Sequence, residues 1–63
     1  MGQVETDRAK IVSRLLHEGW ELARHGRAHD VFRHATKGIV IVPRHRVLSP
    51  GVARSIAKLA GWI

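Results

Sequence analysis

The sequence predicts an α+β domain with the element order α-β-β-β-α. Three observations support this fold class: an amphipathic stretch lies near each end, two glycine-containing turns divide the middle, and a short apolar run begins at Ile39. With 63 residues, the chain is expected to form one domain spanning residues 1–63. Both helices are expected to pack on one face of a three-stranded antiparallel sheet and to leave the other face open.

The first helix is predicted over residues 6–18. Thr6 or Asp7 is suited to cap its start, and Gly19 to follow its end. The expected buried stripe consists of Ile11, Val12, Leu15 and Leu16. The polar positions expected on the solvated side are Arg8, Lys10, Arg14 and His17.

Three strands are predicted over residues 20–25, 28–34 and 39–42, with Gly26-Arg27 and residues 35–38 as turns. In the first strand, Trp20 and Leu22 are expected on one side and Glu21, Ala23 and His25 on the other. If Phe32 points inward, Asp30 and His34 share its side, while His29, Val31 and Arg33 take the open face. The uninterrupted apolar run Ile39–Val42 favours the central or best-buried position for the third strand.

The second helix is predicted from Ser49, as N-cap, and Pro50, as first residue, to about Ala60. Gly61 is suited to end it, and Trp62 to pack back on its last turn. Arg54 and Lys58 share its exposed face. The expected buried stripe consists of Val52, Ala53, Ile56, Ala57, Leu59 and Ala60.

The charge balance points to a polyanionic partner. Eleven Lys and Arg residues against five Asp and Glu give a formal net charge of +6, and nucleic acid is the simplest partner, although an acidic protein would satisfy the same electrostatics. The chain has no cysteine, which excludes disulfides and a thiolate zinc site. The longest apolar run is too short to span a membrane and the first residues do not resemble a signal peptide, so a cytoplasmic location is expected.

The candidate functional residues cluster between Gly19 and His34. His29 is suited to proton transfer near neutral pH, and Arg24, Arg27 and Arg33 to stabilising charge on a phosphate. The alternative is that His29 is an ordinary histidine at a strand edge. A second basic region is expected to follow a nucleic-acid backbone; it comprises Arg44, His45, Arg46, Arg54 and Lys58. His25, His29, His34 and Asp30 do not match a zinc pattern, so no metal or other cofactor is predicted.

The chain resembles the HicA toxin family, small bacterial mRNA-cleaving toxins of HicA–HicB modules. Residues 15–24 (LLHEGWELAR) resemble the passage LL-x-x-GW-x-x-x-R of the family. His34, Thr36-Lys37-Gly38 and residues 40–43 (VIVP) resemble the stretch HP-x-K-G-x-VTVP. Residues 49–51 and 54–61 (SPG and RSIAKLAG) resemble the closing helix.

The resemblance implies a fold similar to double-stranded RNA-binding domains. It also implies a metal-independent endoribonuclease of a type II toxin–antitoxin module that cleaves mRNA and is neutralised by a HicB-like antitoxin. The catalytic histidine of the family motif G-S-H corresponds to His29. This chain departs from that motif, because Arg27 and Ala28 replace the glycine and serine, and Ala35 replaces the proline after His34.

Two other functions remain open from the sequence. One is a non-catalytic RNA-binding module of the same fold, in which His29 is one contact among several. The other is a protein-binding module whose basic face meets an acidic partner. RNA cleavage would distinguish the endoribonuclease from both of these functions.

Overall fold

The structure is a computed structural model that describes residues 3–63, so Met1 and Gly2 of the expected domain lie outside the described residues. It contains helix α1 (Arg8–His17), strands β1 (Glu21–His25), β2 (His29–His34) and β3 (Gly38–Pro43), and helix α2 (Pro50–Leu59). The strands form one antiparallel sheet in the order β1-β2-β3. The predicted α-β-β-β-α order and α+β class are confirmed.

Both predicted helix ends are present. Asp7 caps α1, because its side chain accepts hydrogen bonds from the N–H groups of Ala9 and Lys10. Gly19, at φ 94°, follows the helix in the left-handed conformation that glycine adopts without strain. Of the expected stripe, Ile11 and Leu15 are buried, but Leu16 is exposed. The prediction for Leu16 was wrong because the buried side of α1 is narrow: Val12 is only half-buried against the core, and Leu16, one turn further along, points to solvent.

The central strand is β2, and β3 is an edge strand. The prediction that the apolar run forms the central or best-buried strand was therefore wrong. Val40 and Val42 are buried under the helices, whereas Ile39 and Ile41 point to the open face and are 60% and 55% exposed. The run contains apolar residues on both faces, but the helices cover only one of them.

The pairing of β1 with β2 contains a bulge between Leu22 and Arg24. The extra residue shifts the alternation, so that Leu22 opposes Phe32 while Arg24 opposes Val31. His25 consequently pairs with Asp30 and lies on the helix side of the sheet, the same side as Leu22. The regular alternation had predicted Leu22 and His25 on different sides. The bulge thus brings Arg24 to the open face and His25 towards the buried carboxylate.

The core lies between the helices and the inner face of the sheet. Its buried apolar residues are Ile11, Leu15, Trp20, Phe32, Val40, Val42, Leu48, Ala53, Ile56 and Ala60. In α2, Val52 is half-buried and Leu59 is exposed, which corrects the expectation for Leu59. None of the described helices is long and apolar enough to cross a membrane.

Trp62 was predicted to pack back on the last turn of α2; its backbone N–H bonds there, while its side chain contacts the end of α1. Gly61, at φ 80°, turns the chain, and the Trp62 N–H donates to the Ala57 carbonyl at 2.7 Å. Trp62 Nε1 donates to Glu18 Oε1 at 2.7 Å, and the Arg14 guanidinium lies 4.3 Å from a Trp62 ring centroid. These contacts join the last residues of the chain to the first helix.

Candidate active site

His29 begins β2, at the end of the sheet where the β1–β2 turn meets the last residue of β3. It pairs with Pro43 across the sheet and is exposed. Within residues 3–63, the histidine rings that form hydrogen bonds are those of His25 and His34. Both ring nitrogens of His29 therefore remain accessible to solvent or to a ligand.

Two surface cavities meet at His29. The first, of about 300 Å³, lies on the open face and is also lined by Arg24, Gly26, Val31 and Ile41. The second, of about 400 Å³, extends towards the start of α2, and its other lining residues are Ala28, Pro43, His45, Leu48, Ser49 and Val52. His29 is thus the residue shared by a groove on the sheet and a groove beside the helix.

The turn before His29 requires a glycine for space. The Gly26 N–H donates to the His29 carbonyl at 3.0 Å, and a Cβ at position 26 would collide with that carbonyl oxygen. Its φ is not positive; the described glycines with positive φ are Gly19, Gly38 and Gly61. Close approach of the two backbone segments, rather than a left-handed conformation, therefore explains the glycine.

A buried carboxylate lies on the opposite side of β2 from the open face. The Asp30 side chain is only 9% exposed, and Arg8 Nη2 donates to its Oδ2 at 2.7 Å. Arg44 donates to Oδ1 through Nε at 3.2 Å and Nη2 at 3.1 Å. Burial alone would raise the pKa of Asp30, but the hydrogen bonds and charges of Arg44 and Arg8 outweigh it, so its pKa lies below the ordinary value.

This Asp30 cluster, formed by Asp30, Arg8, Arg44 and His25, joins four parts of the chain: α1, β1, β2 and the residue after β3. Arg8 also donates from Nε to the Pro43 carbonyl at 2.7 Å, and the backbone N–H of Arg44 donates to the Ala28 carbonyl at 2.9 Å. His25 Nδ1 lies 3.2 Å from Asp30 Oδ1. The cluster therefore fixes the end of β3 and the first turn of α1 against the residues that precede His29.

The cluster changes the roles expected for Arg8, Arg44 and His25. Arg8 is half-buried and paired with Asp30, so its expected place on the solvated side of α1 was wrong. Arg44 Nη2 lies 2.6 Å from the His25 ring nitrogens and pairs with Asp30, so two of the three guanidinium nitrogens already have partners. The His25 ring contacts both Asp30 and Arg44 and so forms part of this cluster.

The other cations predicted to bind RNA are distributed over several surfaces. Arg24 lines the open-face cavity with His29, and Arg27 is exposed in the adjacent turn. Arg46 is exposed in the loop before α2. Arg54 lines a separate cavity with Pro50 and Thr6. The structure thus brings Arg24 and Arg27 to the His29 end of the sheet.

Arg33 and Lys58 lie away from that end. Arg33 is on the open face but next to Glu21, with Nε 4.0 Å from Oε1, and it lines a different cavity. Lys58 is in the last turn of α2, where the Lys37 ammonium, from the β2–β3 turn, donates to the Ala60 carbonyl. Contact with a phosphate bound at His29 is therefore expected from Arg24 and Arg27 rather than from Arg33 or Lys58.

His34 is held inside the fold by hydrogen bonds. Its Nδ1 accepts from the Thr36 N–H at 3.1 Å, and its Nε2 lies 3.2 Å from the Glu18 carbonyl oxygen, to which it donates. The ring centroid lies 5.2 Å from that of Trp20. His34 is thus a half-buried histidine with both ring nitrogens bonded, on the same side of β2 as Phe32, as the alternation predicted.

The sequence reasoning missed the partners of Asp30. The alternation placed Asp30 inward with Phe32, and an inward carboxylate needs a cation, which is the signal that was available. Nothing in the local pattern named Arg8 or Arg44 as that cation, because they are 22 and 14 residues away. Among the described residues, no group of three or more His, Cys, Asp or Glu side chains is placed to hold a metal ion.

The fold and the site define a small basic α+β domain with one exposed, unbonded histidine between two grooves. A family model described as HicA toxin of bacterial toxin-antitoxin matches residues 8–62, which is most of the chain. The chain belongs to the HicA toxin family. No curated protein matches it.

Proposed function

We propose that this chain is a metal-independent endoribonuclease that cleaves mRNA, with His29 as a general acid or base. The observation that supports it most is the accessible, unbonded imidazole of His29 at the junction of two grooves, with Arg24 beside it. A polynucleotide crossing the end of the sheet through both grooves would pass this ring. His34 and His25 do not offer the same opportunity, because their rings already have partners.

The chemistry uses the 2′-hydroxyl of the RNA itself. The 2′-oxygen loses its proton and attacks the adjacent phosphorus, forming a P–O2′ bond. The P–O5′ bond then breaks, and the 5′-oxygen takes up a proton. The products are a 2′,3′-cyclic phosphate and a 5′-hydroxyl. Imidazole is the side chain best suited to accept or donate a proton in these steps near neutral pH.

Cationic side chains would stabilise the charge that develops on the phosphate. Arg24 and Arg27 are the nearest candidates, because one lines the His29 cavity and the other lies in the turn just before His29. The exposed cations Arg46, Arg54 and Lys58 would hold the RNA backbone further away. Arg44 would act chiefly through the Asp30 cluster, which leaves it little capacity for phosphate.

The implied partner is a HicB-like antitoxin, since the family consists of toxins of bacterial toxin–antitoxin systems. A partner that neutralises the chain would be acidic where it meets the basic surface, and would block access of RNA to His29. Cleavage of mRNA places the activity in the bacterial cytoplasm. No cofactor is needed for the reaction as written.

A non-catalytic RNA-binding module is the second candidate. It is favoured by one observation, the replacement of the family residues Gly-Ser by Arg27-Ala28 immediately before His29. The lost hydroxyl removes one hydrogen-bond donor to phosphate, whereas the gained guanidinium adds a charge that strengthens binding. In this function, substitution of any single cation or of His29 would lower RNA affinity modestly.

Product analysis separates the two functions. The purified chain is incubated in EDTA with a defined mRNA, the cleavage sites are mapped, and the new ends are identified. We expect 2′,3′-cyclic phosphate ends, and no cleavage at a mapped site where the nucleotide carries a 2′-deoxy sugar. Binding without cleavage would support the binding module instead. Undiminished cleavage at the 2′-deoxy site would contradict the mechanism.

A further inference from the structure

One edge of the sheet remains open in the described part of the chain. β3 is the last strand in the order β1-β2-β3, and its pairing with β2 is regular from Gly38 to Pro43. The strand has no charged residue, and its open-face side chains Ile39 and Ile41 are among the most exposed large apolar residues of the structure. A regularly paired, apolar edge of this kind is a template for pairing with another strand.

The hydrogen bonds at the end of β3 show which backbone groups face outward. The Arg44 N–H donates back towards β2, to the Ala28 carbonyl. Because the direction alternates along a strand, Val42 and Val40 also face β2, whereas Ile41 and Ile39 face the open edge. The Pro43 carbonyl agrees with this alternation, since it accepts from the Arg8 side chain rather than from β2.

The edge is therefore closed at one end and free along its middle. Proline at position 43 presents no N–H, and Arg8 occupies its carbonyl oxygen. The N–H and C=O groups of Ile39 and Ile41 remain, two residues apart, which is the spacing that one added strand satisfies. β1, the other edge, is interrupted by its bulge and carries Arg24 and His25, features that discourage strand pairing.

The positive charge of the chain favours an acidic partner at this edge. The chain has a formal net charge of +6, and Arg33 lies on the open face next to Ile39 in the register. A second copy would bring an equal positive charge to the same place. It would also make contact through only a few residues of one strand, which is little against the ~1,200 Å² that stable interfaces bury. An acidic polypeptide in extended conformation satisfies both the backbone groups and the charge.

We propose that β3 is the docking edge for an acidic partner, which adds one strand to the sheet through the backbone of Ile39 and Ile41. The proposal rests on the proposed function in that the partner is the HicB-like antitoxin. Apolar side chains of the added strand would cover Ile39 and Ile41 on the open face, and acidic ones would reach Arg33. The partner would thereby be anchored beside the groove that His29 and Ile41 share.

Hydrogen exchange of individual amides tests this directly, with the chain alone and mixed with a purified HicB-like antitoxin. We expect the amides of Ile39 and Ile41 to exchange rapidly in the free chain and at least tenfold more slowly in the complex. The amides of Val40 and Val42, which face β2, are the internal control and should be protected in both states. Unchanged exchange at Ile39 and Ile41 in the complex would overturn the proposal, as would protection that grows with the concentration of the free chain.

A pair of variants supplies a second readout. Ile39→Pro removes one edge-facing N–H without removing a bond to β2, and Ile39→Val keeps that N–H. We expect Ile39→Pro to weaken antitoxin binding at least tenfold and Ile39→Val to change it less than twofold, with circular dichroism confirming both folds. Equal binding by both variants would overturn the proposal. RNA cleavage by the free chain is measured separately, so failure of the docking edge and failure of the proposed activity are distinguishable.

Discussion

Replacing Asp30 by asparagine tests whether the Asp30 cluster stabilises the fold. The substitution keeps the size of the side chain and one acceptor oxygen, but removes the negative charge. Arg8 and Arg44 then face a neutral amide, although both now contact carboxylate oxygens within 3.2 Å. The hydrogen bonds that remain are weaker, because their acceptor no longer carries a charge.

The expected loss can be worked out from the exposure of the partners. Breaking a fully buried ion pair costs about 3–5 kcal/mol. Here the Arg8 and Arg44 side chains are 23% and 37% exposed, so water can rehydrate both guanidinium groups. We therefore expect the free energy of unfolding to fall by about 2 kcal/mol. A domain of 63 residues has only about 3–9 kcal/mol in total, so the effect is large.

Urea denaturation at pH 7, followed by tryptophan fluorescence, measures this loss. The matched control is Glu21→Gln, which removes an equally charged group from an exposed pair 4.0 Å from Arg33. We expect the control to lie within about 0.5 kcal/mol of the wild type. If Asp30→Asn also stays within about 0.5 kcal/mol, the cluster does not stabilise the fold as argued.

Three further predictions concern pH, backbone space and charge. The folded-state pKa values of Asp30 and Glu18 lie below their ordinary 3.8 and 4.5, so the stabilisation from these carboxylates is present above the ordinary values and lost as the pH falls through the folded values. Urea midpoints at pH 7 and pH 3 should therefore differ less in the double variant Asp30→Asn/Glu18→Gln than in the wild type. An equal difference in the two proteins would contradict this prediction. Gly26→Ala should lower the free energy of unfolding by about 1–3 kcal/mol, because the added Cβ meets the His29 carbonyl. In the same urea assay the control Gly51→Ala, whose Cβ meets nothing within 4 Å, should not lower the free energy of unfolding. Equal effects of the two variants would refute the close-approach argument. Arg54→Ala should weaken RNA binding and reduce the slope of log affinity against log salt by about 1, measured by fluorescence anisotropy, and an unchanged slope would exclude Arg54 from phosphate contact.

The sequence allowed the element order and most element ends to be predicted, because these depend on local residues. Gly19 and Gly61 end the helices with positive φ, as their positions indicated, and Ser49 and Pro50 begin α2. The parity of β2 was also predictable from Phe32. Its neighbours Asp30 and His34 are turned inward, as the two-residue period requires.

The order of burial among the strands could not be obtained in this way. An apolar run such as residues 39–42 is compatible with a central strand buried on both faces and with an edge strand covered on one face. Only the packing of the helices decides that Ile39 and Ile41 remain uncovered. The bulge near Ala23 was hidden for a similar reason, because an extra residue in one strand is visible only when its partner strand is in register.

The candidate site was predictable in part. The position of His29 at the start of β2 followed from the turn before it and from the alternation after it. The Asp30 cluster did not follow, since it joins residues from α1, β1, β2 and the end of β3 that are distant in sequence. Its consequence for function is that Arg44 and His25 already have partners in the cluster, which leaves His29 as the histidine of the β1–β2 hairpin whose ring forms no hydrogen bond.

The most direct test of the central claim compares cleavage of a defined mRNA in EDTA by the wild type, His29→Ala and His45→Ala, with all three folds confirmed. His45 is the matched control, because it is an exposed histidine that lines one of the two cavities at His29. We expect His29→Ala to lose at least a hundredfold in the single-turnover cleavage rate, and His45→Ala to change it less than threefold. Equal rates for the wild type and His29→Ala would contradict the assignment of His29 as the group that transfers the proton.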